Sequence, residues 1–135
     1  MGSGEMVEVT SVTHQTKIRS YRDLRVWQEG MALAEACYLL TRRFPKEELF
    51  GMTSQIRRAA SSVPANIAEG YGRDSTGEYT QFLRVSQGSL KELETHLTLS
   101  SRVHLIADSE TKNALEGCDR LGKMLHRLIR SLRGV

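Results

Sequence analysis

QIRRAASSVPANIAEGYGR, residues 55–73, is the stretch whose reading decides the fold of this chain. Ile56, Ala59, Ala60, Val63, Ile67 and Tyr71 recur at spacings of three and four, which lines them along one side of a helix. Ala59, Ala60, Ala65 and Ala68 are small, so a neighbouring backbone can come near. Gln55, Asn66 and Glu69 lie close to that apolar side. Pro64 is the anomaly, because a proline inside a helix removes a hydrogen bond and clashes with the preceding turn, at about 3 kcal/mol. The apolar spacing runs through Pro64 without a phase break, which favours one kinked helix. Ser61 and Ser62 also fit as caps of a fresh helix with Pro64 in its first turn, the less favoured reading. Gly70 and Gly72 then end the segment, glycine being the least strained residue in the left-handed conformation beyond a helix end.

Downstream, Ser75 and Glu78 make a capping-box pattern that starts a third helix. Its inner face is Tyr79, Phe82, Leu83, Ser86, Leu90, Leu93, Leu97 and Ser100. Gly88 in mid-helix costs about 1 kcal/mol against alanine and asks for a packing reason. Ser86, Gly88 and Ser89 are therefore expected against the Ala-rich part of helix 2, in the tightest contact of the fold. Residues 103–107 form a short loop, and Asp108 or Ser109 is expected to cap helix 4. The apolar face of helix 4 is Leu115, Cys118, Leu121, Leu125, Leu128, Ile129 and Leu132.

Upstream, a first helix is expected over residues 23–43, stopped by Phe44-Pro45. A connection over residues 46–52 follows, with Thr53 as the expected cap of helix 2. Helix 1 carries two apolar seams. Leu24, Trp27, Met31, Ala34 and Tyr38 form one; Val26, Gly30, Leu33, Cys37 and Leu40 form the other. Their centres lie roughly 120° apart. One wide stripe in a small bundle accounts for both. The favoured reading gives one seam to the bundle core and the other to a second subunit, because the second keeps the alternating spacing of helix–helix contacts. Val26, Leu33, Cys37 and Leu40 are accordingly assigned to an oligomer interface. Four helices on short connections read as all-α, an antiparallel up-down-up-down four-helix bundle over residues 21–135, after a flexible arm over 1–20.

Composition agrees. The chain has 135 residues, enough for one core, with only two prolines and a modest net charge of +3. That charge permits an anionic partner without requiring one. There is no apolar run long enough to span a membrane and no signal-peptide core, so a cytoplasmic protein without membrane contact is expected. Cys37 and Cys118 fall inside helical patterns and read as reduced, buried thiols.

Gln-Ile-Arg-Arg-Ala-Ala at 55–60, Asn-Ile-Ala-Glu-Gly at 66–70 and Gly-Arg at 72–73 resemble a bacterial family, the four-helix-bundle proteins encoded in intervening sequences of 23S ribosomal RNA genes. Tyr21-Arg22-Asp23-Leu24, Val26-Trp27, Phe44-Pro45-Lys46-Glu47-Glu48, Glu78-Tyr79, Phe82-Leu83, Gly88-Ser89-Leu90 and Glu92-Leu93-Glu94 match it in order, across roughly residues 21–133. The resemblance implies a four-helix bundle and a ring-shaped homopentamer. A related branch, the accessory proteins of diversity-generating retroelements, implies binding of nucleic acid and of a reverse transcriptase.

No catalytic signature occurs, and no cofactor or metal is expected. The Glu-x-x-His pairs of a di-metal bundle are missing, as are His-Glu-x-x-His, a phosphate loop and Cys-x-x-Cys. Gln55, Asn66 and Glu69 are read as a structural polar network pinning helix 2 against helix 3 or against a neighbouring subunit, with a catalytic or ligand role or simple exposure as the alternatives. The strongest binding signal is basic. Arg120, Lys123, Arg127 and Arg130 recur within about 80° of arc nearly opposite the Leu face, widened by His126 and Arg133, and no acidic residue follows Asp119. Such a row is either an ordinary solvated face, with cations favoured near a helix C-terminus, or a strip for RNA or DNA phosphates. The expectation is a non-enzymatic oligomeric scaffold that binds nucleic acid through this row. The alternative is a protein-interaction module whose basic face is incidental.

Overall fold

The structure, a computed structural model, describes residues 17–134; the first sixteen residues of the expected arm lie outside them. Four helices carry the fold: α1 (Arg25–Thr41), α2 (Met52–Tyr71), α3 (Thr76–Arg102) and α4 (Asp108–Arg133). One 3-10 turn, Tyr21–Asp23, precedes α1, and another, Lys46–Glu48, lies in the first connection. Each helix packs on two neighbours in the closed order α1, α2, α3, α4, with no close diagonal approach among the described residues. The connections are too short for anything but antiparallel neighbours, so the chain is an up-down-up-down four-helix bundle.

The core is one cluster drawn from all four helices. Ile56, Val63 and Ile67 of α2, Leu83, Leu93 and Leu97 of α3, and Leu121 and Leu125 of α4 are completely or almost completely shielded from solvent. Each such side chain contributes about 2 kcal/mol by leaving water. The α2–α3 pair makes the most extensive contact and the α1–α4 pair the sparsest. Small and polar side chains hold α2 against α3. The Ser86 hydroxyl donates to the Val63 carbonyl at 2.9 Å, and the Ser62 and Ser89 hydroxyls lie 2.8 Å apart.

Helix α2 runs unbroken through Pro64, which is buried. The ring is accommodated because Gly30 of α1 faces it; a Cβ at Gly30 would lie 3.4 Å from the proline Cβ. Gly70 does not end α2 but sits inside it. A Cβ there would come within 2.7 Å of Phe82 Cβ and 3.2 Å of Tyr79 Cδ1, so Gly70 lets α3 approach closely. Gly72 closes the helix with an ordinary right-handed φ of −81°. Tyr71 and Tyr79 then meet edge to face, 5.9 Å between centroids, and the Arg73 guanidinium lies over the Phe82 ring.

Caps follow the expectation at one end and depart from it at two. Ser75 accepts from the Glu78 amide at 3.1 Å and starts α3. Thr53 is buried, and α2 begins instead at Gly51, with the Met52 amide donating to Glu48 Oε1 at 3.1 Å. Helix α4 begins at Ala107 without a side-chain cap; Asp108 accepts from the Ser101 hydroxyl at 2.7 Å and so ties the ends of α3 and α4. Between those ends the Leu105 amide donates to the Ser100 carbonyl and the His104 amide to that of Ser101. That is a Schellman closure with His104 at φ 65°, a position glycine usually fills.

The seams of α1 exchange roles. Val26, Gly30, Leu33, Cys37 and Leu40 all turn into this chain's own core, at 1–9% exposure for the four assigned to an oligomer interface. That assignment is corrected, since these side chains have little surface left to offer a second subunit. Their spacing points at α4 and α2 because α1 needs its most regular seam where it meets two helices at once. The other seam faces outward only in part: Met31 and Tyr38 are about 40% exposed and Trp27 is half-buried, while Ala34 is buried in the core.

Gly88 is a second reversal. It lies on the exposed side of α3, and a Cβ there would meet nothing within 4 Å. Ser86 and Ser89 do sit against α2, but Gly88 does not.

Candidate functional site

Helix α4 is amphipathic. Cys118, Leu121, Leu125 and Ile129 are buried, while Arg120, Lys123, His126, Arg127, Arg130 and Arg133 are all exposed. The basic row therefore stands in solvent. Arg120 lies 3.9 Å from Glu29 of α1, and Lys123 lies 3.2 Å from Asp119 one turn earlier. Arg127, Arg130 and Arg133 make no ion pair among the described residues. Arg120, Lys123 and Arg127 border one groove of about 860 Å3 along α4, shared with Asp108, Glu116 and Asp119. Arg120 also reaches the α1 side, and Lys123, His126 and Arg127 also border the seam with α3.

That seam opens into a groove of about 600 Å3, bordered on the α3 side by Gln87, Gly88, Lys91 and Glu94. Gly122 of α4 forms part of its floor, with Leu90 Cδ1 4.0 Å from where a Cβ would be. Two further grooves border α1. One, of about 740 Å3, runs along the outer α1–α2 face between Trp27, Met31, Tyr38, Pro64 and Ala65. The other, of about 520 Å3, lies over the sparse α1–α4 contact, and its floor includes the edges of Leu33, Cys37 and Leu40.

Between α2 and α3, the polar network assigned to Gln55, Asn66 and Glu69 is not the one that forms. Gln55 is exposed, and Glu69 is exposed and paired with Arg73 one turn on, at 2.7 Å. Only Asn66 joins the helix contact, donating to the Ser62 carbonyl at 2.8 Å and the Ser62 hydroxyl at 3.0 Å. Ser62 and Ser89 supply the link to α3 instead. Gln55 and Glu69 turn away because the helix face nearest α3 is already filled by Ala59, Ala60, Val63 and Ile67.

Titratable groups inside the bundle are few. Burial pushes the Cys37 thiol up to about 11. Burial, with Cys37 and Glu94 nearby, pushes Cys118 up to about 12. Both thiols are free, and at neutral pH they are protonated and poor nucleophiles. Burial beside Tyr71 likewise raises Tyr79 to about 12. At the surface, the hydrogen bond from Arg43 holds the Glu110 carboxyl below its ordinary value and joins the first connection to α4. No cluster of three His, Cys, Asp or Glu side chains suited to a metal occurs among the described residues, nor any helix long and apolar enough to cross a membrane.

The residues with the clearest chemistry are thus the exposed cations of α4 and the groove beside them. Five of the α4 cations were legible from spacing. Lys91 and the open ground at Gly88 were not, because they lie on another helix. Arg84, Gly88 and Lys91 at intervals of four and three were the available signal.

A family model described as 23S rRNA-intervening sequence protein matches residues 22–127. Among solved structures, the chain is similar to a protein of unknown function from the S23 ribosomal protein family of Bacteroides thetaiotaomicron. The TM-score is 0.71 at 22% identity, over 78% of this chain and 98% of that one, a likeness of fold. No curated protein matches the chain.

Proposed function

This chain belongs to the 23S rRNA-intervening sequence protein family, and on that premise we propose that it is a non-enzymatic oligomeric scaffold that binds RNA or DNA phosphates through the outer face of α4. The observation that carries the reading is the free state of Arg127, Arg130 and Arg133, exposed in a row without an ion pair among the described residues. Unpaired guanidinium groups keep their donors available for phosphate oxygens. Such binding reads charge and not sequence, and assembly repeats a weak strip so that several engage one strand.

The outward seam of α1 supports the assembly half of the proposal. Met31, Tyr38 and the 58% exposed Leu39 line an apolar groove that a second copy would cover. Light scattering should report an assembly, and Met31→Glu with Leu39→Glu should reduce it to monomer with helicity intact.

The binding half is tested by titrating labelled single-stranded RNA at increasing salt. With about four phosphates neutralised, log affinity should fall against log salt with a slope near −3. Arg127→Glu combined with Arg130→Glu should weaken binding about 30-fold at moderate salt. Unchanged affinity in that double variant would exclude the α4 face and leave the protein-interaction reading, which the same apolar groove supports.

A further inference from the structure

The geometry points to the α3–α4 groove as the seat of a single-stranded phosphodiester backbone, with Gly88 kept small so that the strand can lie against α3. The inference rests on the α4 reading above and extends it to a second helix. Gly88 is its starting point. A glycine in the middle of a 27-residue helix weakens that helix, and here no neighbour occupies the space that its missing side chain leaves. Packing therefore does not account for it, and close approach of something outside the bundle does.

The surroundings of Gly88 say what that would be. Arg84 precedes it by four residues and Lys91 follows by three, so both lie on the same side of α3 as the glycine, and both are exposed. Across the groove stand Lys123 and Arg127. The helices run antiparallel here, with Leu90 beside Gly122 and both Lys91 and Glu94 near Cys118. Cations thus flank the groove on both banks. The groove also contains two carboxylates, Glu94 and Asp119, each paired with a lysine at 3.4 and 3.2 Å. They occupy its upper end. Below them, towards Arg130 and Arg133, α4 carries no acidic residue. A strand lying from Gly88 towards the end of α4 meets Arg84 on one side and Arg127, Arg130 and Arg133 on the other.

The shape favours one strand. Packed helices stand about 8–10 Å apart, so the furrow between them admits a single backbone and not a duplex. No Phe, Tyr or Trp borders the groove and His126 is its one ring, so stacking contributes little, and a preference for any base is not expected.

Two variants of the full chain test this with labelled single-stranded RNA, the same sequence as DNA, and the RNA duplex. Gly88→Gln puts a neutral, helix-favouring side chain across the groove. It should raise the melting temperature by about 3–5 °C, since glutamine suits a helix better than glycine, while weakening single-strand binding about tenfold. Arg84→Ala should weaken binding and flatten the salt slope by about 0.7, one phosphate contact on a single strand. RNA and DNA strands should bind alike, and the duplex more weakly. If both variants bind like the parent while Arg127→Glu with Arg130→Glu loses binding, the groove is excluded and the α4 row stands. A duplex bound as tightly as the single strand also excludes the groove. If the parent binds no strand at low salt, both readings fall.

Discussion

Between pH 8 and pH 10.5 the bundle should lose about 4 kcal/mol of stability through two buried thiols alone, at about 1.4 kcal/mol per pH unit for each. Cys37 and Cys118 are 1% and 0% exposed, and burial lifts them from an ordinary 9.0 to about 11 and about 12. The sign follows from which state releases protons first. Below pH 9 both states hold the thiol proton, and the two cysteines contribute no pH dependence. Above pH 9 the unfolded chain ionises while the folded chain keeps its thiols neutral, so rising pH favours unfolding until the folded values are reached. Urea midpoints at pH 8 and pH 10.5 measure the loss. Cys37→Ala with Cys118→Ala is the control; it should start less stable, because each substitution leaves a small cavity, and should show most of the alkaline slope removed. An equally steep slope in the double variant would assign it to other groups, and Tyr79, raised to about 12, would be next. The same burial predicts that both thiols resist alkylation in the native protein at pH 8 and react on unfolding.

Gly70→Ala should destabilise the protein by about 2 kcal/mol. Alanine is the better helix former by about 1 kcal/mol, so a substitution inside α2 would ordinarily help. Here the new methyl would lie 2.7 Å from Phe82 Cβ, closer than carbon atoms can stand. Either α3 moves outward or Phe82 leaves its place beneath Arg73, and overpacking of that kind costs about 1–3 kcal/mol. The contact lies between the two helices with the most extensive interface, so α2 and α3 have little freedom to separate. Gly70→Leu should prevent stable folding. Gly88→Ala supplies the contrast, because the same change on α3 meets open space and should stabilise. If both alanine variants shift the melting temperature in the same direction, the close approach at Gly70 is wrong. Chemical denaturation at pH 7, with helicity checked by circular dichroism, measures both.

Those two glycines mark where sequence reading stops. Helix periods, the Phe44-Pro45 break, the Ser75 cap and the continuity of α2 through Pro64 were all visible in order along the chain, because each is set by residues within a turn or two of one another. The basic row on α4 was visible for the same reason, since a helix of known period places Arg120, Lys123, Arg127, Arg130 and Arg133 on one side whatever lies opposite. Which of two apolar seams on α1 faces inward was a different kind of question. Both have helical spacing, and only the positions of α2 and α4 make Val26, Leu33, Cys37 and Leu40 core and leave Met31 and Tyr38 outside. Likewise Gly70 has the look of a helix end and Gly88 of a packing site, yet in the bundle Gly70 is the packing site and Gly88 stands exposed. Local spacing determined what each helix is and which residues share its faces. The packing of one helix on another decided which face is buried, because burial depends on atoms far away in the chain.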